Sequence, residues 1–353
     1  MELEQAKDAV MEASVQLSRL GLVARTWGNV SCRVGDGHFL ITPSGKPYEQ
    51  LKKDQLVLVD LKDLSYPKGV KPSSEKKLHR EVYKQKREVS CVIHTHQEMA
   101  SLVGLLGEDI PVSEQGRSLL GETIPTARYG LPGTNMLVKN AARAFVGCSA
   151  TTVLLANHGA LCFGCDAAKT LAIAKQLEVE CRAHLSRLVP LYGEEVQVQL
   201  VPLAGKPWIG IPKEATRVAS LLGANNEEVR SVLFHTSPAV LEVGRKLPIL
   251  PSYLDDFAQI AGTRISLVEA DIDDLQLLRL SKSCNAILIR GFGAFCWATT
   301  PSDAEAVSMI LEKNCKAALL AQVNLAIKPI GWLDTHLMRF VYQKKYSKIA
   351  ERK

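Results

Sequence analysis

Apolar positions recur at helical spacing over residues 2–20 and stop at Gly21. Short apolar runs separated by turn residues predict strands near 29–34, 38–42 and 56–60. Residues 75–87 read as a helix, 90–95 as a buried strand and 97–106 as a second helix. A loop is expected over 107–133, then a helix over 135–146. Strands at 152–156 and 160–163 flank Asn157-His-Gly159, and Asp166 is placed to cap a long helix reaching about Leu188. Strands set beside helices, without strict alternation, imply a layered α/β domain.

The pattern then returns. Residues 92–97 read V-I-H-T-H-Q and residues 233–238 read L-F-H-T-S-P. Gly159-Ala-Leu-Cys-Phe163 is matched by Gly293-Ala-Phe-Cys-Trp297, and each is followed by a helical pattern with alanines that ends near Cys181 or Cys315. An offset of about 140 residues in both places points to a duplicated domain. The copies are unequal. Aligned on the words themselves, Ser237 stands where the first copy has His96, and Phe292 where it has His158. The second copy also lacks a counterpart of the first 85 or so residues. The boundary is expected near Leu203-Ala-Gly-Lys-Pro207, after the breakers Pro190 and Gly193, giving domains 1–203 and 204–353.

At 353 residues the chain has room for one large domain or two moderate ones. The formal net charge of +6 is mild, and much of the excess lies in the tail at Lys344, Lys345, Lys348, Arg352 and Lys353. No basic stripe is interleaved with aromatics, which argues against nucleic acid as a partner. No apolar run approaches the roughly 18 residues that span a bilayer. Met1 to Val10 carries charges of both signs and lacks the apolar stretch of a signal peptide. Nine cysteines, most within apolar runs, suit a reducing cytoplasm. Cys162-Phe-Gly-Cys165 is a lone C-x-x-C with no second pair, so its thiols are expected to be buried and free of metal.

Candidate chemistry gathers in the first copy. His94 and His96 are two apart at the end of an apolar strand, and strand periodicity puts i and i+2 on one face. Both imidazoles can therefore reach one ion. His158 lies in a tight Asn-His-Gly turn between two other strands. Three imidazoles with an open fourth position are the donor set of a catalytic zinc site, Zn(2+) or another divalent ion. Glu75 follows Ser73-Ser74 at a helix start, where the helix dipole favours a carboxylate. It reads either as a plain N-terminal helix acid or as a metal ligand and general base. His79 is one turn further on and faces the same side, and reads as a core or supporting residue rather than a ligand.

Three segments are rich in Gly, Ser and Asn: Trp27-Gly-Asn-Val-Ser31, Thr42-Pro-Ser-Gly45 and Pro72-Ser-Ser74. Glycine admits close approach of a ligand to the backbone, and free N–H groups at turns and helix starts bind phosphate. Nothing matches a dinucleotide-binding or P-loop pattern.

In their order, G-N-V-S, T-P-S-G, S-S-E, H-T-H, A-R-Y-G-x-P-G-T and N-H-G resemble the class II aldolase/adducin family, on the side of its L-fuculose-phosphate aldolases, over about residues 5–190. The resemblance implies a three-layer α/β/α domain, followed here by a truncated, degenerate and metal-free repeat. It implies that His94, His96 and His158 bind zinc and that Glu75 ligates zinc at rest and then acts as base. Gly28, Asn29, Ser44, Gly45, Ser73 and Ser74 would hold a substrate phosphate. The activity implied is a zinc-dependent lyase that cleaves a phosphorylated ketose by retro-aldol chemistry through a metal-stabilised enediolate. Epimerisation, dehydration or decarboxylation on the same metal site, and a non-catalytic adducin-like binding domain, remain alternatives. Glu75 stands where the epimerases look to carry Asp, which leans toward an aldolase. The aldolases carry a tyrosine proton donor in the loop after H-T-H, whereas Ile110 to Arg117 has none and offers Glu114, Gln115 and Arg117. Family members often assemble as tetramers, so a cytoplasmic homo-oligomer acting on a small phosphorylated sugar, with neither nucleic acid nor membrane as partner, is expected.

Overall fold

Ala6, Val10, Ala13 and Leu17 form the buried stripe of helix α1 (Leu3–Arg19), which is followed by Gly21 at φ +65°. The computed structural model describes residues 1–23, 27–189, 197–201, 213–225 and 229–345. These form two units, Met1–Arg187 and Leu188–Lys353, and the boundary expected near 203 lies outside the described residues.

In the first unit, α1 is followed by strands β1 (Gly28–Val34), β2 (His38–Ile41) and β3 (Val57–Asp60). Helix α2 (Lys76–Gln85), strand β4 (Cys91–Thr95) and helix α3 (Glu98–Gly104) come next. Where a loop over 107–133 was expected, the chain makes β5 (Ile110–Pro111), α4 (Arg117–Leu120), β6 (Thr123–Ile124) and β7 (Thr126–Ala127). These pieces are too short to carry a period, and long-range bonds fix them instead. Ser113 is held by Glu180, and the Thr126 amide donates to Asp109 Oδ1. Helix α5 (Asn135–Phe145), strands β8 (Thr152–Leu155) and β9 (Gly159–Gly164) and helix α6 (Ala167–Leu185) complete the unit. Asp166 caps α6, accepting from the Lys169 amide as its position predicts.

The sheet order is β3-β2-β1-β4-β9-β8-β7. All neighbours are antiparallel except β7 and β8, which are parallel. Helix α2 packs with α5, and α1 and α3 pack with α6, giving an α/β/α arrangement. Phe39, Val59, Val92, Leu161 and Phe163 of the sheet bury against Leu78 and Val82 of α2 and Leu137 and Phe145 of α5. At about 25 cal/mol per Å², burial of such side chains dominates the stability of this layer.

The second unit contains β10 (Gln197–Val201), α7 (Lys213–Asn225), β11 (Ser231–Thr236), α8 (Pro238–Lys246), β12 (Ile249–Pro251) and α9 (Asp255–Ile260). It continues with β13 (Arg264–Val268), α10 (Asp274–Ser281), β14 (Ala286–Ile289), β15 (Gly293–Ala298), α11 (Pro301–Val323) and α12 (Trp332–Lys345). Its sheet runs β10-β11-β15-β14-β13-β12. The stretch β10-β11-β15-β14-β13 repeats the pairing of β1-β4-β9-β8-β7: three antiparallel contacts, then one parallel.

The register corrects the alignment of the two H-T words by one residue. Thr95 pairs with Ala160 in the first sheet, and His235, not Thr236, pairs with Ala294 in the second. Gly159 lies tight against the carbonyl of Thr95, and Gly293 against that of His235. Gln97 and Ser237 each occupy the N-cap position of the following helix. By pairing, Phe234 therefore stands at the place of His94, and His235 at that of Thr95. A one-residue slip turns every side chain of a strand to the other face.

Candidate metal centre

The site forms where β4 ends. Val92 faces the α2/α5 core, so His94, two residues on, points the same way. Its Nδ1 lies 2.8 Å from the carbonyl oxygen of Ala160 on β9. A carbonyl only accepts, so Nδ1 carries a proton and Nε2 is turned into the site. His96 follows beyond the strand end. His158 sits in the β8–β9 turn behind Asn157, whose φ of +62° makes the turn sharp, and before Gly159, whose close approach to Thr95 leaves no space for a Cβ.

These three imidazoles meet Glu75, the residue that precedes the first turn of α2. His94 Nε2 lies 3.0 Å from His96 Nε2 and 3.0 Å from His158 Nε2. Glu75 Oε2 is 3.2 Å from His94 Nε2, and Oε1 is 3.0 Å from His158 Nε2. One donor atom from each of the four lies within 4.8 Å of all the others. Donors bonded to one zinc at about 2.1 Å in a tetrahedron stand about 3.4 Å apart, so the cluster has the dimensions of a mononuclear site. Its composition, three imidazoles and a carboxylate, also fits a divalent ion. His94 and His158 are buried. Burial alone would raise the Glu75 carboxyl, but the charge of His94 and hydrogen bonds from His158 and His94 outweigh it and hold the group well below its ordinary value.

The three Gly-, Ser- and Asn-rich segments are laced to this centre. Asn29 pairs with His94 across β1 and β4. The Thr42 amide donates to Val30, the Ser73 amide to Thr42, and the Ser44 amide to Lys71. Pro43 and Pro72 form an antiparallel bridge, which sets Thr42 beside Ser73 and Ser44 beside Lys71. The Glu75 amide donates to Ser73 Oγ. Gly28 packs against the His94 carbonyl at φ +123°, where a Cβ would come within 2.7 Å of that oxygen. Gly45 takes φ +72°.

A groove beside Ser74 and Glu75 is lined by Gly133, Thr134 and Leu137 as well. Gly133 and Thr134 are the last two residues of the A-R-Y-G-x-P-G-T stretch. Glu114, Gln115 and Arg117 are exposed, on a segment anchored to α6 through Glu180.

His79, which the sequence marks as a core or supporting residue rather than a ligand, is buried between Asn29 and Ser31. Burial, aided by the charge of His94 and opposed by Glu75, pushes its imidazole down to about 3, so it stays neutral. Its position one turn after Glu75 on α2 is the signal that placed it near the site.

The second unit carries no such centre among its described residues. His235 turns onto α11, with Nδ1 2.6 Å from Ser308 Oγ and Nε2 3.0 Å from Glu312 Oε2. Ser237 Oγ donates to the same carboxylate oxygen at 2.6 Å. Phe292, at the place of His158, is partly exposed. Cys162 is buried and Cys165 exposed, and all the cysteines are unpaired. No described helix is long and apolar enough to cross a membrane.

Comparison with known proteins bears on the first unit. Residues 8–185 match the class II aldolase and adducin N-terminal domain. L-fuculose phosphate aldolase of Escherichia coli strain K12 is 32% identical over 201 residues, 55% of this chain and 92% of that protein. The 5-methylthioribulose-1-phosphate/5-deoxyribulose-1-phosphate aldolase of Rhodospirillum rubrum is 34% identical over 175 residues, 49% of this chain and 76% of that protein. The crystal structure of L-fuculose-1-phosphate aldolase from Thermus thermophilus aligns at a TM-score of 0.46 with 26% identity, covering 51% of this chain and 92% of that one.

Proposed function

Because the chain belongs to the class II aldolase/adducin family, we propose that it is a zinc-dependent lyase that cleaves a phosphorylated ketose by retro-aldol chemistry. The observation that carries this reading is the convergence of three imidazole nitrogens and the Glu75 carboxylate on one point. An adducin-like binding role would not need that donor set. The relatives, L-fuculose phosphate and 5-methylthioribulose-1-phosphate/5-deoxyribulose-1-phosphate aldolases, point to ketose phosphates as the substrate class.

In this reading His94, His96 and His158 would hold the ion, with Glu75 as a fourth donor. Once bound, the ion would supply Lewis acidity toward the substrate oxygens on which C–C cleavage leaves negative charge. Glu75, with its carboxylate favoured over the acid, would take up the proton released by the hydroxyl that becomes the aldehyde and return it to the carbon that loses its bond. Gly28, Asn29, Ser44, Gly45, Ser73 and Ser74 hold the phosphate through turn amides and hydroxyls. Nine unpaired cysteines suit a reducing compartment, so we assign the protein to the cytoplasm, as a homo-oligomer like its family. The second unit is read as a degenerate, metal-free repeat. Its shared pairing order supports the repeat, and aromatic residues at the places of two metal histidines support the loss of metal.

The test is a panel of ketose 1-phosphates given to zinc-loaded full-length protein, with free aldehyde as the readout and inorganic phosphate as competitor. His94→Ala/His96→Ala should lose both zinc and aldehyde formation. Full zinc content in that double variant would remove the site assignment. Equal turnover of phosphorylated and unphosphorylated ketose would remove the phosphate pocket, and an epimer or CO2 in place of aldehyde would replace the lyase reading.

A further inference from the structure

The Glu75 carboxylate has a partner that is not an imidazole. Asn29 Nδ2 donates to Glu75 Oε2 at 2.9 Å. A carboxylate oxygen only accepts, so the amide of Asn29 must present nitrogen on that side and oxygen on the other. On the other side Oδ1 meets His79 Nε2. An amide oxygen also only accepts, so Nε2 carries the His79 proton and Nδ1 is bare. Nδ1 lies 2.7 Å from Ser31 Oγ, which therefore donates to it. With its own proton spent there, Ser31 Oγ accepts from the Tyr83 hydroxyl at 2.7 Å. Burial raises the Tyr83 phenol well above its ordinary value, so it keeps the proton it donates.

Every bond in the series has one permitted direction: Tyr83 to Ser31 to His79 to Asn29 to Glu75. Resting on the zinc-and-Glu75 reading above, we propose that His79 is a positioning residue for the metal centre, acting through Asn29 to hold Glu75 in its ligating orientation. An Asn side chain has no intrinsic preference between its two ends. Without the His79 proton on Oδ1, the amide can turn and set its accept-only oxygen against the carboxylate, which then loses its donor and is pushed aside by lone-pair repulsion. Buried partners behind a ligand contribute about 10–100-fold to metal affinity or activity. The series ends at the buried hydroxyls of Ser31 and Tyr83, which supply the donor that the bare His79 Nδ1 requires.

The test uses the full chain. In metal-free wild-type protein, nitrogen-15 spectra of the histidine rings should give the Nε2–H tautomer for His79 between pH 6 and 8. The Nδ1–H form, or an imidazolium in that range, would overturn the proposal. Zinc affinity is then measured by chelator competition in two variants. His79→Asn places its amide near Ser31 and cannot reach Asn29, and should weaken zinc by about 10-fold. His79→Gln offers an N–H near the lost Nε2 and should stay within about threefold of wild type. Equal affinity in both variants, or equal loss in both, would overturn the positioning role. None of these readouts needs a substrate, so they stand or fall separately from the lyase reading. Should no ketose phosphate be cleaved, the tautomer and the affinity pattern still decide the role of His79. If His79→Asn fails to fold, the wild-type spectrum alone still decides the polarity on which the proposal depends.

Discussion

Glu75 Oε1 lies 3.0 Å from His158 Nε2, joining the start of a helix to a turn between two strands. The contact makes the carboxylate part of the cluster without making it indispensable to it, since three imidazoles alone suffice for a catalytic zinc site. Glu75→Gln should therefore bind one zinc at saturating metal and lose turnover by about 10²–10⁴-fold, the range for a general acid–base group. Metal analysis beside kcat on the same preparation checks this. Wild-type turnover in the variant would remove Glu75 from the chemistry.

The neutral imidazole at His79 makes stability depend on pH. The folded protein leaves this ring unprotonated down to about 3, whereas the unfolded chain takes up the proton near 6.5. Protons thus favour unfolding, and stability falls as pH drops below 6.5. At pH 5.5 the loss from this group should be about 1.4 kcal/mol, the cost of holding a ring neutral one unit below its ordinary value. Urea unfolding of wild type and His79→Gln at pH 5.5 and 7.5 measures it. An identical pH dependence in the two proteins would assign the effect elsewhere.

His235 is buried against Glu312 and Ser308. Burial raises the Glu312 carboxyl, but His235, Lys316 and Ser237 together bring it below its ordinary value, so the histidine helps to hold a buried charge. His235→Ala should cost about 1–3 kcal/mol by stripping a hydrogen bond from that carboxylate. Zinc content should not change. A calorimetric scan and metal analysis separate the two effects, and zinc loss in this variant would contradict a metal-free second unit.

The legible parts of this molecule were those with a short repeat. The two-residue spacing of His94 and His96, the Asn157-His-Gly159 turn and the Asp166 cap are local patterns, and each stands where its pattern put it. The 107–133 region was read as loop because its elements are two to four residues long and held by distant partners such as Glu180 and Asp109. The Asn29–Glu75 and His79–Asn29 bonds span 46 and 50 residues. They depend on β1 and α2 meeting side by side, which no window along the chain displays. The segments named for the phosphate pocket do come together, yet one end of the Asn29 side chain faces Glu75 and the other His79.

The slip between the two sheets has a consequence for how the H-T word is read. A pleated strand has two reading frames, one per face, and a shift of one residue exchanges them while leaving the hydrogen-bond ladder intact. The first sheet shows its histidine in the frame that faces Glu75, and the second shows the same word in the frame that faces a helix. Residues 234, 236 and 292, a phenylalanine, a threonine and a phenylalanine, hold the places of the three clustered histidines in the second sheet. Ser237, the letter-for-letter match of His96, is bonded to Glu312 on the opposite face.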